Sequence, residues 1–577
     1  MAKYKSDHRD IFFNLLDVLN VTQYEQYGMD ESAIKEIVTE YDKFVENEIF
    51  PTREPSDVEG VRLEEDGVKV PESLHKVNKA FYEMGWYALG QPEKWGGAPC
   101  PEALASLCLS LSTGANTAFS MYPGLSKGAM NVIKMVGNEW AQNMFIPPMI
   151  EGRWGGTMNL TEAGSGSDVG ALKPTATPIE GKEGVYKIKG SKIFISSGDN
   201  DLYENIIHLV LARTPGAPEG TKGLSLFITP KVKVNEDGSL GEANDVYCSK
   251  VEHKMGIHGS ATCVLNYGDN NNCEGYLIGK EGEGIQNMFI MMNEARLDCG
   301  IQGEAQANLA YMMTEQFVKE RVQFKTEIIN HPDVRRMMLK MRAMSRGMRS
   351  LTLYTSDLFD KAKTDKKYES YIGLLTPICK SFCSEKGFDV AVEAVQCHGG
   401  YGYCHEYGVE QFVRDTKIAT LYEGTNGIQA LDFVMRKILK DGGRALRSLS
   451  EEIFKTSNQL DDDFSFERGV FTKVLGHAQD AMGFIGKKAK KNEMNYVLQN
   501  CKDFLDMASH IVVAWRLMES AMIAKDKLES AQGEDEKAFL KTKIDDFRVY
   551  CAHFLPQASA HARTITGFED DILTYQV

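Results

Sequence analysis

The sequence lacks an excess of positive charge and lacks paired-cysteine motifs. Its 577 residues include 65 Lys and Arg against 81 Asp and Glu, which gives a formal net charge of −16. Binding to a phosphate backbone needs a concentrated cationic surface, so this balance argues against a nucleic-acid partner. None of the twelve cysteines belongs to a C-x-x-C pair. This absence argues against a metal site or a disulfide framework and favours buried, reduced thiols.

Long apolar segments are also missing. No run of about eighteen apolar residues is present, so we expect no transmembrane segment. The N-terminal stretch MAKYKSDHRDIFF carries acidic residues and no uninterrupted apolar region, which is unlike a secretory or transit peptide. We therefore expect a cytoplasmic protein. An anionic ligand is still compatible with the negative net charge, because a few cations and helix N-termini can hold phosphates.

The order of apolar patterns predicts a mainly α protein with a middle β domain. Apolar residues recur at helical spacing at the start of the chain, for example Ile11, Leu15 and Leu19. From Trp154 onward, short apolar runs rich in β-branched residues predict strands. The length suits three or four packed units. We predict a helical domain over 1–153, a β domain over 154–280, a helical domain over 281–440 and a helical extension over 441–577.

Four local patterns predict finer features. Short apolar runs on either side of Gly190 predict a β-hairpin. Asn426, with Gln429 three residues later, resembles a capping box at a helix start. Strand-length apolar runs cover 206–212 and 224–228. In the extension, the predicted core residues are Ile511, Val512, Trp515, Leu517 and Met518.

Three unusual stretches carry the candidate chemistry. MNLTEAGSGSDVG, residues 158–170, is a glycine-rich loop that could wrap a phosphate or simply turn. It does not fit a dinucleotide-binding GxGxxG motif that follows a strand, and no P-loop is present. VQCHGGYG, residues 395–402, allows a close backbone approach or ends a helix, and its His398 is typical of a structural, hydrogen-bonding histidine.

The third stretch, TLYEGTNGIQ, covers residues 420–429. A lone glutamate such as Glu423, just before a helix, is usually a solvated loop residue or a partner of the helix dipole. Beside a flavin and a desolvated thioester, the same carboxyl would have a raised pKa and could act as a base.

Taken in order, these stretches resemble the acyl-CoA dehydrogenase family. MNLTEAGSGSD is similar to its first signature, and QCHGGYGYCHEY with VRDTKIATLYEGTNGIQ is similar to its second. KIFISSG and ERVQF fall between them at the expected intervals, and the match covers about residues 75–440. The segments HRDIFFNLLDVLNV and MMNEARLDCGIQG and the long extension resemble one branch. That branch contains 3-methylmercaptopropionyl-CoA dehydrogenases and larger bacterial fatty-acyl-CoA dehydrogenases.

The resemblance implies a fold and a cofactor. The fold would have a helical domain, a β-barrel-like domain and a four-helix domain, here with a C-terminal helical extension. FAD would bind between the β domain and the following helices, with part of the site from a second subunit of a homodimer or dimer of dimers. Phe194 replaces the usual Trp, and Ser196 the usual Thr. The implied FAD-binding residues are Leu160, Thr161, Ser167, Phe194, Ser196, Gln396, Gly400, Thr425 and, from a partner subunit, Arg321 and Phe324.

The resemblance also implies a reaction. Glu423 would remove the α-proton of an acyl-CoA while a β-hydride goes to flavin N5, giving a trans-2-enoyl-CoA. Some relatives place the base immediately before the arginine that matches Arg296, but this chain has Ala295 there. The implied substrate-binding residues are Ser167, Arg296, Tyr422 and Gly424. The expected electron acceptor is electron-transferring flavoprotein. The expected pathway is fatty-acid β-oxidation or methylmercaptopropionyl-CoA catabolism.

Several alternatives remain open from the sequence. An acyl-CoA oxidase would share the fold and the base but pass electrons to oxygen. A non-dehydrogenase relative, such as the DNA-associated AidB-type flavoproteins, is disfavoured by Glu423 and by the charge of −16. The extension could be a membrane or dimer contact rather than a set of helices packed onto the main body.

Overall fold

A computed structural model describes residues 3–577, apart from the side chains of residues 290 and 291. Two compact units are present, and each combines separate stretches of the chain. Unit 1 contains the residues up to Asp42, Pro101–Gly114 and Arg296–Val577, and unit 2 contains Lys43–Cys100 and Ala115–Ala295. The four consecutive domains expected from the sequence stay a prediction, because this division follows spatial proximity rather than sequence order.

Helices dominate the first 150 residues. They are α1 His8–Phe12, α2 Glu31–Phe44, α3 Arg53–Glu59, α4 Glu72–Glu83, α5 Glu102–Ala115, α6 Thr117–Val136 and α7 Glu139–Ile150. The helical prediction overlooked one hairpin, β1 Arg62–Glu64 and β2 Gly67–Lys69. Its signal was the Asp66–Gly67 pair, since Asp-Gly between alternating apolar residues favours a tight hairpin turn.

The middle of the chain supplies the main sheet of unit 2. Its strands pair in the order β10-β11-β5-β12-β7-β6-β3, and β4 joins β5 and β6. β6 and β7 are buried along almost their whole length, as expected for continuous apolar runs. The strands in this region are β3 Trp154–Asn159, β4 Thr175–Pro178, β5 Val185–Ser196, β6 Asn205–Arg213, β7 Leu224–Pro230, β8 Val232–Val234, β9 Leu240–Ala243, β10 Val246–Val251, β11 Thr262–Tyr267 and β12 Glu274–Ile278.

The predicted hairpin at Gly190 is wrong, because β5 continues through this residue from Val185 to Ser196. Gly190 has a φ of 151°, and a Cβ there would lie 2.8 Å from Cβ of Pro174. Glycine within a strand often marks such a close approach rather than a turn. The flanking apolar runs therefore belong to one long strand.

Helices return after the sheet. They are α8 Gly284–Glu320, α9 Pro332–Ala362, α10 Lys367–Ile378, α11 Ser384–His398, α12 Val409–Lys417 and α13 Asn426–Leu431, with a short hairpin of β13 Val322–Gln323 and β14 Thr326–Glu327. A π-helical turn, Cys379–Cys383, joins α10 to α11. The extension contains α14 Arg444–Ser457, α15 Ser465–Lys490, α16 Met494–Gln499, α17 Cys501–Ser530, α18 Glu534–His553 and α19 Leu555–Gly567.

The extension packs onto the preceding helices within unit 1. All five residues predicted as its core are buried in α17. At the crossing of α9 and α17, a Cβ on Gly347 would lie only 2.7 Å from Cγ1 of Val513. The absence of a side chain at Gly347 therefore lets the two helices approach closely.

A buried charge cluster links three regions of unit 1. Asp10 of α1 accepts from Nζ of Lys543 in α18 at 2.6 Å and from Nη1 of Arg349 in α9 at 3.2 Å. Arg349 also pairs with Glu304 of α8 at 3.2 Å. All four side chains are buried, and buried charges need such partners. This cluster ties the N-terminal helix and the extension to the helices between them.

Ten of the twelve cysteines are buried, as the scattered pattern predicted. Along residues 3–577, no helix is both long enough and apolar enough to cross a membrane.

Candidate active site

The Glu423 turn is a strained connection directly before α13. Glu423 has a φ of 55° and Gly424 a φ of 80°. A left-handed conformation is uncommon for a residue with a side chain, and such strain concentrates at functional sites. Nε2 of the fully buried Gln429 donates to the carbonyl oxygens of Glu423 at 3.0 Å and Gly424 at 3.2 Å. One side chain thus restrains both strained residues.

The N-cap of α13 is Thr425, not Asn426 as the capping-box pattern predicted. Thr425 has φ −53° and ψ 158°, and its Oγ1 accepts from the backbone N–H of Ile428. Asn426 is already helical. Gln429 therefore lies one position beyond that of a capping-box residue, and it reaches the two strained carbonyls instead of the cap N–H.

Glu423 is only partly exposed, and its carboxyl lies near two cations. Burial raises the pKa of Glu423, while the positive charges of Arg296 and Lys380 act to lower it. A general base works best when its pKa lies near the working pH, because it is then largely deprotonated and still basic enough to accept a proton. The direction of the shift therefore suits a general base better than an ordinary surface glutamate.

Arg296 is buried and forms an ion pair with Asp432, from Nη1 to Oδ2 at 2.9 Å. Its Nε has no hydrogen-bond partner among the described residues. The guanidinium is thus already paired with a carboxylate on one side. Contact between Arg296 and a substrate stays a prediction.

Tyr422 is connected to α8. Its hydroxyl donates to Oε1 of Gln302, and burial raises the pKa of this hydroxyl well above its ordinary value. Nε2 of Gln302 is buried and finds no acceptor in the part of the chain that the structure describes. Tyr422 is therefore a neutral hydrogen-bond donor, and its predicted contact with an acyl chain is untested.

In unit 2, the first signature loop is attached to β5. Nζ of the fully buried Lys192 donates to the carbonyl oxygen of Leu160 at 3.1 Å and to Oε1 of Glu162 at 2.7 Å. The backbone N–H of Ile193 donates to the carbonyl oxygen of Thr161 at 2.9 Å. These bonds bring Leu160 and Thr161 beside the strand that carries Phe194 and Ser196.

Phe194 presents an aromatic surface at the end of this strand. Its side chain is 59 % exposed and its φ is 57°. Ser167 is exposed, and Cβ atoms on Gly164 or Gly166 would meet nothing within 4 Å. An exposed ring next to an open glycine-rich loop fits stacking on a planar ring system and contacts with a phosphate.

The second set of predicted FAD-binding residues is exposed on unit 1. Phe324 is 90 % exposed, and Gln396 and Gly400 are also exposed. The guanidinium of Arg321 lies over the Tyr401 ring at 5.0 Å. The Phe324 ring contacts His331 edge-on, with centroids 5.8 Å apart, and is otherwise open. So exposed a phenylalanine suits a surface that another molecule covers.

His398 lies within the predicted motif VQCHGGYG, residues 395–402, and has a structural role in unit 1. Its Nδ1 lies 2.8 Å from the carbonyl oxygen of Ala394, and its ring stacks on Phe317 with centroids 4.1 Å apart. The structural interpretation of this histidine is therefore confirmed.

Sequence reasoning missed the residues that support the site. Lys192, Lys380 and Gln302 were not selected, and Gln429 was noted only as a capping-box residue, although all four are buried. A usable signal existed for two of them. Lys192 lies on the apolar face of an alternating strand, and Lys380 lies within the apolar stretch PICKSFC. A lysine in such a position must find a buried partner.

Comparison with known sequences identifies family domains along most of the chain. Models of the acyl-CoA dehydrogenase N-terminal, middle and C-terminal domains match residues 31–153, 157–269 and 282–439. A model described as acetyl-CoA dehydrogenase C-terminal like matches residues 449–576. The extension is thus also a recognised region of such proteins.

Two curated relatives match over 99 % of both chains. The 3-methylmercaptopropionyl-CoA dehydrogenase of Ruegeria pomeroyi is 35 % identical, and the broad-specificity linear acyl-CoA dehydrogenase FadE5 of Mycobacterium tuberculosis is 34 % identical. Among solved structures, Caenorhabditis elegans ACDH-11 in complex with C11-CoA has a TM-score of 0.78 at 18 % identity. It covers 98 % of this chain, and this chain covers 97 % of it.

A Bacillus anthracis acyl-CoA dehydrogenase complexed with FAD has a TM-score of 0.74 at 23 % identity, covering 94 % of this chain and 89 % of its own. These structural likenesses confirm the predicted fold, mainly α with a middle β domain and a helical extension. The full-length sequence matches confirm the resemblance first seen in the motifs. The chain belongs to the acyl-CoA dehydrogenase family of oxidoreductases.

Proposed function

We propose that this protein catalyses FAD-dependent α,β-dehydrogenation of an acyl-CoA thioester, with Glu423 as the base. The observation that carries the proposal is the Glu423 turn. It combines a partly buried carboxyl of raised pKa with a backbone held in a left-handed conformation. A structural role alone does not require a strained glutamate whose carboxyl is desolvated.

The residues present fit FAD. Within unit 2, the exposed Phe194 ring and the open glycines of the 158–170 loop suit an aromatic ring and a phosphate. Leu160, Thr161, Ser167 and Ser196 would complete that part. Thr425 Oγ1 accepts the capping bond from Ile428, so its own hydroxyl hydrogen can be donated to a cofactor.

A second subunit accounts for the exposed residues of unit 1. Arg321 and Phe324 would contact the FAD of a partner copy, in a homodimer or a dimer of dimers. Gln396 and Gly400 would supply the second FAD-contact motif. Burial of the Phe324 side chain, 90 % exposed in the single chain, would contribute about 1.5–3 kcal/mol to association.

In the proposed reaction, Glu423 accepts the proton from the α-carbon of the thioester. FAD, when bound, supplies the acceptor for the hydride that leaves the β-carbon. The backbone N–H of Glu423 donates to no described residue, so it can donate to the thioester oxygen as negative charge develops there. Gln429 acts on the two carbonyl oxygens of the turn and thereby orients this N–H.

The full-length relatives guide the choice of substrate. Their names cover 3-methylmercaptopropionyl-CoA, linear acyl-CoAs of broad range and, for a Syntrophomonas wolfei relative, butyryl-CoA. We propose 3-methylmercaptopropionyl-CoA or a short-to-medium fatty acyl-CoA as the substrate. Gly424, Tyr422 and Arg296 would lie on the substrate side of the base, with Ser167 near the CoA. We propose a cytoplasmic enzyme of fatty-acid β-oxidation or methylmercaptopropionyl-CoA catabolism. Electron-transferring flavoprotein is the proposed acceptor, and rapid peroxide formation in air would instead support an oxidase.

The test is anaerobic reduction of the bound flavin by a panel of acyl-CoA thioesters. Wild-type protein should lose its flavin colour with at least one thioester. Glu423→Gln should retain FAD yet reduce it at least about 10²-fold more slowly, the lower end of what a positioned base contributes. Glu406→Gln, at an exposed glutamate of the same unit, should behave as wild type. Normal bleaching of the Glu423→Gln flavin would reject the assignment.

A further inference from the structure

Lys380 is an unusual residue, because it carries a charged side chain that is fully buried. Its Nζ forms no ion pair with any described carboxylate. Burial lowers the pKa of Lys380, although nearby Glu423 acts in the opposite direction. Lysines are almost never fully buried without a charged partner, and retaining one is costly unless it has a role.

The contact of Lys380 is Asn426, the first residue of α13. Nζ donates to Oδ1 of Asn426 at 2.8 Å. This bond fixes which end of the amide faces Lys380, since an ammonium group only donates. The Nδ2 end then donates to Oε1 of Glu385 at 2.9 Å and to Oγ of Ser384 at 3.1 Å. Asn426 is therefore fully engaged within the protein.

The π-helical turn explains why Lys380 points inward. Pro377 lacks a backbone N–H, and the following residues Cys379–Cys383 form a π-helical turn. Such turns insert an extra residue, re-aim side chains and occur often at functional sites. Helix α8 packs tightly against this turn, since a Cβ on Gly303 would lie 2.2 Å from the carbonyl oxygen of Cys383.

The neighbouring charges single out Lys380 as the uncompensated cation near Glu423. The other cation, Arg296, is paired with Asp432 at 2.9 Å. Glu385, which faces Lys380 across Asn426, is paired with Lys502 at 2.9 Å.

Two further ionisable neighbours, Cys299 and Tyr422, are neutral at ordinary pH. Burial raises the pKa of the Cys299 thiol to about 12 and that of the Tyr422 hydroxyl well above its usual value. Neither group therefore compensates the charge of Lys380. The titratable or charged groups that surround Glu423 and Lys380 on the packed elements are Arg296, Asp298, Cys299, Glu385, Tyr422 and Asp432.

We propose that Lys380 is a positioning residue for Glu423. Its ammonium group anchors Asn426 at the start of α13 and supplies a fixed positive charge near the carboxylate. The inference rests on the proposed role of Glu423 as the base. Because burial disfavours the charged carboxylate, a nearby cation keeps more of it ready to accept a proton.

Substitution can remove or compensate the charge while keeping the contact between positions 380 and 426. Lys380→Gln removes the charge but keeps an N–H donor for Asn426. Asn426→Asp places a carboxylate against the ammonium group and compensates its charge. It is made together with Glu385→Gln, because the Nδ2 end of Asn426 faces Oε1 of Glu385 at 2.9 Å and two carboxylates there would repel each other. Both should make Glu423 harder to deprotonate. The readout is the rate of anaerobic flavin reduction by acyl-CoA as a function of pH, with FAD content measured in parallel.

In both variants we expect the acidic limb of the profile to move up by about one pH unit or more. The rate at high pH should stay within about threefold of wild type, whereas a merely structural defect would lower the rate equally at every pH. Lys386→Gln is the matched control, because it also removes one cation and its Nζ pairs with Asp389 on the surface side of α11. Its acidic limb should be unchanged.

The inference is overturned if Lys380→Gln and Asn426→Asp keep the wild-type acidic limb. It is equally overturned if Lys386→Gln shifts the limb as much. Glu423→Gln, assayed alongside, distinguishes this result from failure of the proposed function. If Glu423→Gln is inactive and the Lys380 and Asn426 variants show no shift, only the proposed role of Lys380 is rejected. If Glu423→Gln is active, the assignment of Glu423 as the base is rejected.

Discussion

The side-chain amide of Gln429 donates to the backbone carbonyl of Glu423 at 3.0 Å, although the two residues lie on opposite sides of a helix start. Gln429 is fully buried and cannot move to solvent. The proposed base is therefore held through its own main chain, by a residue in the first turns of α13. Restraint of this kind fixes the direction of the carboxylate and lowers the cost of its left-handed backbone.

Gln429→Leu should slow flavin reduction much more than it weakens FAD binding. The substitution removes both bonds to the strained carbonyls, so the turn can relax and move the carboxylate. Small misplacements of a catalytic group cost about 10²-fold in rate. We expect at least a tenfold slower reduction of the bound flavin by acyl-CoA, measured anaerobically, with a loss of about 1–3 kcal/mol in unfolding free energy.

Gln411→Leu is the control for loss of a buried amide. Nε2 of Gln411 donates to Oδ2 of Asp415 within α12 at 3.1 Å, away from the strained turn. This variant should lose a similar amount of stability and keep its reduction rate within about twofold. Equal rate losses in the two variants would show that Gln429 affects the rate through general stability only.

Most of the fold could be predicted from the sequence, because periodicity records which faces of helices and strands are buried. The runs 206–212 and 224–228 lie in β6 and β7, and all five core residues predicted for the extension are buried in α17. Gly190 misled the strand prediction, since a close approach to Pro174 and a turn produce the same glycine signal.

The motifs identified Glu423 but not its supporting residues. Gln302, Lys380 and Gln429 act through contacts with residues that are distant in sequence or on another turn of the chain. No local pattern encodes such a contact. The shift of the cap from Asn426 to Thr425 has the same origin, because Asn426 is held inward by Lys380 rather than free to cap.

Lys192→Met should weaken FAD binding by about tenfold or more. The substitution breaks both bonds from Nζ, to the Leu160 carbonyl and to the Glu162 carboxylate, and leaves Glu162 without its cation. The 158–170 loop would then be held to β5 mainly by the backbone bond from Ile193 to Thr161. A less ordered loop loses more conformational entropy when the cofactor binds, which weakens binding. The dissociation constant for FAD, measured by flavin fluorescence after removal of the cofactor, reports this effect.

The matched control for this loop is Lys187→Met. Lys187 lies on the same strand β5 but is exposed, so its removal should leave FAD affinity within about twofold of wild type. If Lys192→Met binds FAD with wild-type affinity, the attachment of the loop to β5 does not contribute to the cofactor site.

Asp10→Asn should destabilise the protein at neutral pH through the buried charge cluster. Arg349 would still pair with Glu304, but Lys543 would lose the carboxylate that it contacts at 2.6 Å. Removing one partner of a buried ion pair typically costs about 3–5 kcal/mol. Denaturant unfolding at pH 7 should show this loss, whereas Asp535→Asn, at a 94 % exposed side chain in α18, should change stability by less than about 0.5 kcal/mol.

The same cluster predicts how this difference depends on pH. Burial acts to raise the pKa of Asp10, but Lys543, Arg346 and Arg349 outweigh it and hold the pKa well below its ordinary value. Ionised Asp10 therefore contributes its full stabilisation above the unfolded-state pKa of about 4. Below that pH, the unfolded chain binds a proton before the folded chain does, and the stabilisation falls as the pH approaches the folded-state pKa.

The gap in melting temperature between wild type and Asp10→Asn should accordingly stay constant from pH 7 to pH 5 and narrow below pH of about 4. A gap that widens on acidification would mean that Asp10 is protonated in the folded protein and that the three cations are compensated by other groups.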